Sequence, residues 1–265
     1  MKLTPTKCIW LLSMVGITSS ITACTSIPFV SPNNPAAALS AFNQGVRLVS
    51  ERQYQNALES FGDAIRLDPK LAQAYAWRAY VYNIQGNTSA AVSDCDSAIQ
   101  LDPNLEQPYS TRARIKYLGQ DYPNAIADST KAVALNPKDV GAYSTRAFSY
   151  VRQKEYQKAI DDLTAALKVQ AKNLPKGEYA AMYGYRGICN LALKNYDAAV
   201  DDCTTSLSYD DSVPQAYVCR GQAYKQLGKA SLSKKDLDKY QQLTKAIQAK
   251  QPPPQLVPLY PLPPK

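Results

Sequence analysis

The sequence predicts an all-α superhelical solenoid of about six two-helix repeats, and three observations carry that expectation. Pro69, Pro103 and Pro137 recur at a spacing of 34 residues, each directly behind an acidic or amide residue. Aromatic and small residues fill matching columns inside each period. An arginine and an aspartate sixteen residues apart recur in five of the periods. No such unit buries its apolar face alone, so neighbours must stack to make one core. A binding scaffold is expected rather than an enzyme.

The units follow in order along the chain. The first offers Gly45, Tyr54, Ala57, Phe61, Ala64 and Pro69; the second Tyr75, Ala79, Tyr82, Gly86, Ala91, Ala98 and Pro103. The third has Tyr109, Ala113, Tyr122, Ala125, Ala132 and Pro137, and the fourth Tyr143, Ala147, Tyr150, Tyr156, Ala159 and Ala166. Spacings of four residues put these side chains on one helix face. Small residues let the two helices of a unit approach closely, while the aromatics fill the space toward the next unit. Each proline ends a second helix because the residue before it is pushed out of helical geometry. After the fourth unit the period slips by six residues, through Ala171 to Glu178. The fifth unit then shows Tyr183, Gly187, Tyr196, Ala199 and Ser206, with Asp211 where the proline would stand, and the sixth Tyr217, Gly221, Tyr224 and Gly228.

These columns resemble the tetratricopeptide repeat, over roughly residues 38 to 249 or about four fifths of the chain. The resemblance implies a right-handed superhelix in which the first helix of each unit lines a concave channel. It organises the chain as a signal peptide at 1–23, a proline-containing tether at 24–37, a solenoid at 38–250 and a proline-rich tail at 251–265.

One pair of columns points to a specific contact. Arg78, Arg112, Arg146, Arg186 and Arg220 precede Asp94, Asp128, Asp162, Asp202 and Asp236 by sixteen residues each, and the first unit has Gln44 and Ser60 instead. Both partners are absent together, which favours an ion pair within each unit. The alternative is two solvated charges on separate helix faces, worth almost nothing.

The front end points to a compartment. Lys2 and Lys7 flank the start of an apolar stretch from Ile9 to Ile17, which reads as a secretory signal and not as part of the fold. The residues Ile21, Thr22, Ala23 and Cys24 resemble a bacterial lipobox, which implies cleavage before Cys24 and a lipid anchor on it. An ordinary cleaved signal is the other reading. Thr25, rather than an aspartate, resembles the sorting pattern for the outer membrane, so a periplasm-facing, lipid-anchored envelope protein is expected. Several acyl chains hold a bilayer far more firmly than one. Ser26 to Pro35 then reads as an extended spacer.

Charge and composition narrow the function classes. The formal charge of +8 falls to about +6 once Lys2 and Lys7 leave with the signal, a balance compatible with anionic headgroups, cell-wall polymers or an acidic partner. The basic residues are spread over many units, so nucleic acid is not an expected partner. The lysines around Leu237, Tyr240, Leu243 and Ile247 read as the polar cap of a terminal repeat. The chain has no histidine, which removes the usual general base and the commonest metal ligand together. No phosphate-cradling glycine motif occurs, so neither cofactor, metal nor catalysis is expected. Cys95 and Cys203 stand in the column of Phe61 and Leu163 and read as buried filling. A single bridge among Cys189, Cys203 and Cys219 is the alternative an exported compartment would permit.

The resemblance implies that residues flanking the packing columns face the channel. These are Phe42, Val46, Gln73, Trp77, Tyr80, Asn83, Thr111, Arg114, Tyr117, Thr145, Phe148, Arg152, Tyr185 and Ile188, an aromatic, amide-rich and weakly basic groove. The set of Lys, Asn and Arg with which some relatives clamp acidic chaperone C-termini is not present. Exposed aromatics in a concavity suit extended peptides, although Trp77 and Tyr80 could instead complete the packing between units. The tail QPPPQLVPLYPLPPK has seven prolines in fifteen residues and cannot continue a helix. It reads as a disordered end, as a ligand for another protein, or as a plug for this chain's own groove. The expected function is a lipid-anchored adaptor for a protein or peptide in envelope assembly. Lipoproteins of similar architecture act as pilotins or as adaptors for cell-wall hydrolases. A self-assembling structural module, homo-oligomeric through its convex faces or end caps, is the alternative.

Overall fold

The computed structural model describes residues 34–169 and 174–250, with the Lys250 side chain left aside. The signal, Cys24, the tether through residue 33 and the proline-rich stretch 251–265 lie outside the described residues. Among the described residues, twelve helices and no strand make up the fold. They are α1 (Pro35–Ser50), α2 (Tyr54–Leu67), α3 (Ala72–Ile84), α4 (Thr88–Leu101), α5 (Glu106–Leu118), α6 (Tyr122–Leu135), α7 (Val140–Arg152), α8 (Tyr156–Lys168), α9 (Lys176–Ala192), α10 (Tyr196–Tyr209), α11 (Pro214–Gln226) and α12 (Ala230–Lys250).

Local sequence sets the helix ends. Residues 35–37, read from sequence as part of the tether, instead begin α1, with Asn34 as its cap. Asn34 Oδ1 accepts a hydrogen bond from the Ala37 N–H at 3.1 Å, and Pro35 loses nothing in the first turn, where its missing N–H would have no intrahelical partner. Asp68, Asp102 and Asn136 leave helical geometry ahead of the periodic prolines, and their side chains accept from the N–H of Lys70, Asn104 and Lys138. Asp210 makes the same turn without a proline. Its backbone is extended and Oδ1 accepts from Ser212 N–H at 2.9 Å, so the fifth unit ends at the expected column.

The turn inside each unit holds one residue at positive φ: Arg52, Gly86, Gln120, Lys154, Lys194 and Gly228, all between 60° and 77°. Only two of these are glycine, and an L side chain there costs about 1–2 kcal/mol.

Every helix packs on its neighbours in sequence. The first helices of successive units also touch, α1 with α3, α3 with α5, α5 with α7, α7 with α9 and α9 with α11. Among the described residues the even-numbered helices make no such contacts with one another. The odd helices therefore form a continuous layer, and whatever faces away from the even helices lines one shared surface.

The core is made where a small residue of one helix meets the middle of the next. Phe61, Cys95, Leu163 and Cys203 are fully buried in one column, with Ser129 at the same place in the third unit. A Cβ on Gly45 would lie 2.5 Å from the Phe61 ring, and one on Gly187 would lie 2.6 Å from Cys203 Sγ, so glycine at these positions is a packing requirement. Cys95, Cys189, Cys203 and Cys219 are all buried free thiols, and the bridge left open by the sequence is not formed. Burial pushes the Cys95 and Cys189 thiols up to about 12 and the Cys203 thiol well above its ordinary value. Such thiols are packing groups with almost no thiolate at neutral pH.

Candidate functional site

The two periodic charge columns meet in every unit that carries them. Arg78 Nε and Nη2 donate to the two Asp94 oxygens at 2.7 and 2.8 Å, and Arg112 with Asp128, Arg146 with Asp162 and Arg220 with Asp236 repeat the same fork. Arg186 reaches Asp202 with a closest approach of 2.6 Å, and Asn190 adds a second donor to that carboxylate. The five aspartate side chains are only 6–10 % exposed. Each guanidinium also lies 5.3–5.9 Å from the ring of the tyrosine three residues before it. Burial by itself would raise the Asp128 pKa, but hydrogen bonds from Arg112 and Lys116 outweigh it and hold the carboxyl below its ordinary value.

The pairs do more than close a unit. Arg112 Nη1 reaches back to Asp96, while Arg146, Arg186 and Arg220 reach Thr130, Thr164 and Thr204, each at 3.2 Å. These acceptors stand two residues beyond the aspartate of the preceding unit. Gly62 takes that place in the first unit and offers Arg78 no side-chain acceptor. These four arginines thus tie successive units together as well as the two helices of one. An Asp-x-Thr or Asp-x-Asp pattern in the sequence is the signal that could have shown this.

On the shared face of the odd helices lies a groove of about 1340 Å³. Trp77, Tyr80 and Asn83 of α3, Thr111, Arg114 and Tyr117 of α5, Thr145 and Phe148 of α7 and Tyr185 of α9 line it, joined by Val46 of α1. Its rings are ordered. Phe148 stacks on Tyr185 with centroids 4.1 Å apart, Tyr117 lies 6.2 Å from Phe148, and the Tyr117 and Tyr185 hydroxyls are 3.4 Å apart. Trp77 and Tyr80 meet edge to face at 6.0 Å. Tyr80 is 38 % exposed, and Leu118 at the same wall stands 64 % exposed.

Four residues expected in the groove are not among those lining it. Phe42 turns into the core and packs 5.9 Å from Phe61, whose ring lies against Gly45. Ile188 is 2 % exposed within the cluster that α9 forms with Met182, Cys189 and Cys203. Gln73 sits exposed in the first turn of α3, and Arg152 is half-buried at the far end of α7, beyond the turn that faces the groove. Trp77 serves both roles, since its ring also lies 6.3 Å from Phe61.

The expected weakly basic character is also corrected. Among the described residues the groove's charged lining is Glu106, Asp139, Glu178 and Asp210 against Arg114 and Lys138. The carboxylates come from the starts of α5 and α9 and the turns before α7 and α11, places that a projection of helix faces does not reach. Asp139 caps α7, accepting from Ala142 N–H at 3.1 Å. Burial, followed by the hydrogen bond and charge of Asp139, pushes Glu106 up to about 8, with Asn136 opposing. Among the described residues no group of His, Cys, Asp and Glu side chains is placed to hold a metal ion.

Comparison with known proteins agrees with this architecture. The family model for the tetratricopeptide repeat matches residues 42–106 and 144–217, just over half of the chain. Among solved structures, PilF of Pseudomonas aeruginosa superposes with a TM-score of 0.65 at 14% identity, over 82% of this chain and 98% of that one. YrrB, a TPR protein with an unusual peptide-binding site, gives 0.62 at 18% identity over 73% of this chain and 98% of its own. The Cut9–Hcn1 hetero-tetramer of APC/C gives 0.62 at 20% identity over 80% of this chain, which spans 41% of the matched chain. At these identities the likeness is one of fold. With its twelve helices, its recurring columns and this match, the chain belongs to the tetratricopeptide repeat family.

Proposed function

We propose that this protein is a lipid-anchored adaptor that holds an extended segment of a partner protein in the groove of its odd helices, in the bacterial envelope. The ordered but partly exposed wall of Tyr80, Tyr117, Leu118 and Phe148 carries the reading. The family builds interaction scaffolds, and packing columns elsewhere already hold this solenoid together, so an exposed aromatic wall is surplus to folding. An extended peptide needs polar partners for its backbone, and Asn83, Ser110 and Gln107 offer them beside the rings. Anchoring rests on Ile21, Thr22, Ala23 and Cys24. Among the described residues no helix is long and apolar enough to cross a membrane. The anchor would concentrate the groove at the bilayer surface, so that presentation and proximity are the mechanism.

The test is crosslinking and affinity capture from native envelopes with wild type, with Tyr80→Ala combined with Arg114→Ala, and with Cys24→Ser. Trp77 is left intact because it also packs on Phe61. A partner lost from the groove variant but captured by the folded Cys24→Ser protein is expected, together with loss of that protein from the membrane fraction. Capture indifferent to the groove substitutions would reject the peptide site, and retention of Cys24→Ser on the membrane would reject the anchor.

A further inference from the structure

We infer that the occupant of the groove is a basic segment, with a lysine or arginine side chain seated between Glu106 and Asp139 and neighbouring apolar or proline residues laid on the rings of Tyr80, Tyr117 and Phe148. This rests on the peptide-groove reading above and adds the chemistry of the ligand.

The sign of the charge is the first argument. The chain as a whole is formally +8, yet its groove gathers Glu106, Asp139, Glu178 and Asp210 against Arg114 and Lys138. A basic protein that concentrates negative charge in a cleft attracts cations there and repels acidic segments.

The corner between α5 and α7 supplies the second. Asp139 spends one oxygen on the α7 cap and faces Glu106 with the rest of its carboxylate, so that two acids share one half-buried place. Gly141 keeps this corner open: a Cβ there would lie 3.2 Å from Asp139 Oδ1 and 4.0 Å from Ser110 Oγ. One turn further on the same face of α7, Ser144 Oγ is buried, with the residue 5 % exposed, and has no hydrogen-bond partner while lining the groove. In the same groove as this unpartnered hydroxyl, Glu106 and Asp139 share a single proton, so the corner holds more acceptors than donors. An ammonium or guanidinium group answers all three: it neutralises the pair and offers N–H groups to Ser144. Glu106 then gives its proton to solvent as the cation enters. The charged groups along this stretch are Asp139 on the α7 cap, Lys138 beside it and Arg114 two turns along α5.

Selection of a phage-displayed random 12-residue peptide library on the full chain at pH 8.5 tests this, with Glu106→Gln combined with Asp139→Asn as the comparison. Asparagine keeps the α7 cap, so the variant should fold, which its circular dichroism checks. Expected are selected peptides rich in Lys or Arg next to Pro, Tyr or Leu, bound about tenfold more tightly by wild type than their Lys→Glu counterparts, with that preference lost in the variant. A purely structural role for the acids would leave the preference in place. Selection blind to charge, or of acidic peptides, would overturn the basic ligand but keep the groove. Selection no better than on Tyr80→Ala combined with Arg114→Ala would overturn both. Full displacement of the selected phage by a synthetic peptide of residues 251–265 would make the occupant this chain's own tail and overturn the assignment to a partner.

Discussion

The first repeat and the fourth close the same two-helix unit by different means. In the first, Gln44 and Ser60 replace the ion pair, and the unit is filled by Phe61 lying on Gly45, with Phe42 and Trp77 closing over the ring. In the fourth, Arg146 forks onto Asp162, covers Tyr143 and reaches back to Thr130 of the third repeat, around the smaller Leu163. The difference teaches that one fold accepts either an apolar or an ionic closure. The ionic closure also binds a unit to its predecessor wherever that predecessor offers an acceptor, as it does to Arg112, Arg146, Arg186 and Arg220.

Phe61→Ala is the change expected to do most damage. It empties a fully buried aromatic site and should cost about 3–5 kcal/mol in urea unfolding, with α1 and α2 losing helicity first. A loss under about 1.5 kcal/mol would mean that the ring does not hold the first repeat together. Arg146→Ala leaves Asp162 nearly buried without its fork, and about 2–4 kcal/mol is expected given the remaining solvent contact. The double variant with Asp162→Ala should lose clearly less than the sum of the two single losses, and additive losses would show that the pair contributes no coupling. Arg112→Ala sharpens the point, because Lys116 still reaches Asp128 at 2.8 Å and should make this loss the milder one.

Gly45→Ala comes next. Its Cβ would strike the Phe61 ring, so about 1–3 kcal/mol of overpacking cost is expected, relieved when Phe61→Leu is added. No relief would place the cost elsewhere than in this contact. The smallest effect belongs to Glu106. Its carboxyl is held at about 8 in the folded chain against an ordinary 4.5, so the folded state binds that proton more tightly than the unfolded one. The stability it contributes is complete below about pH 4.5 and is lost as pH rises through about 8. Melting curves at pH 5 and pH 8.5 should therefore fall less for Glu106→Gln than for wild type, by about 2–4 °C. Parallel falls would show that the shared acid corner is not protonated as its geometry implies.

What recurs was readable in advance, and what occurs once was not. The arginine and aspartate columns were visible because the same spacing returns five times, and each return adds weight to the pairing. Trp77, Tyr80, Tyr117 and Phe148 were placed by the resemblance to the repeat family together with helical period. The acids at Glu106, Asp139, Glu178 and Asp210 escaped because they sit at helix starts and turns, where a face projection has no angle to assign. Phe42 and Ile188 stand at groove-facing columns, but local packing claimed them: one covers the Phe61 ring, the other sits in the cluster around Cys189 and Cys203. The cysteines left two readings open in sequence, since burial and pairing both suit a small thiol. Position decided for free thiols.

The sequence by itself determined the class, the repeat and most of its boundaries, because helix period, proline and the side chains that close turns act within a few residues. It also determined which charges pair, because a fixed offset within a repeated unit is a fixed offset in space. Tertiary structure alone decided that four of the arginines reach across units, that the groove is acidic in a basic chain, and that a buried, unpartnered serine lines the same groove as Glu106 and Asp139. Those outcomes depend on how far one unit is rotated on the next, which is settled by packing between helices distant in sequence and written in no single period.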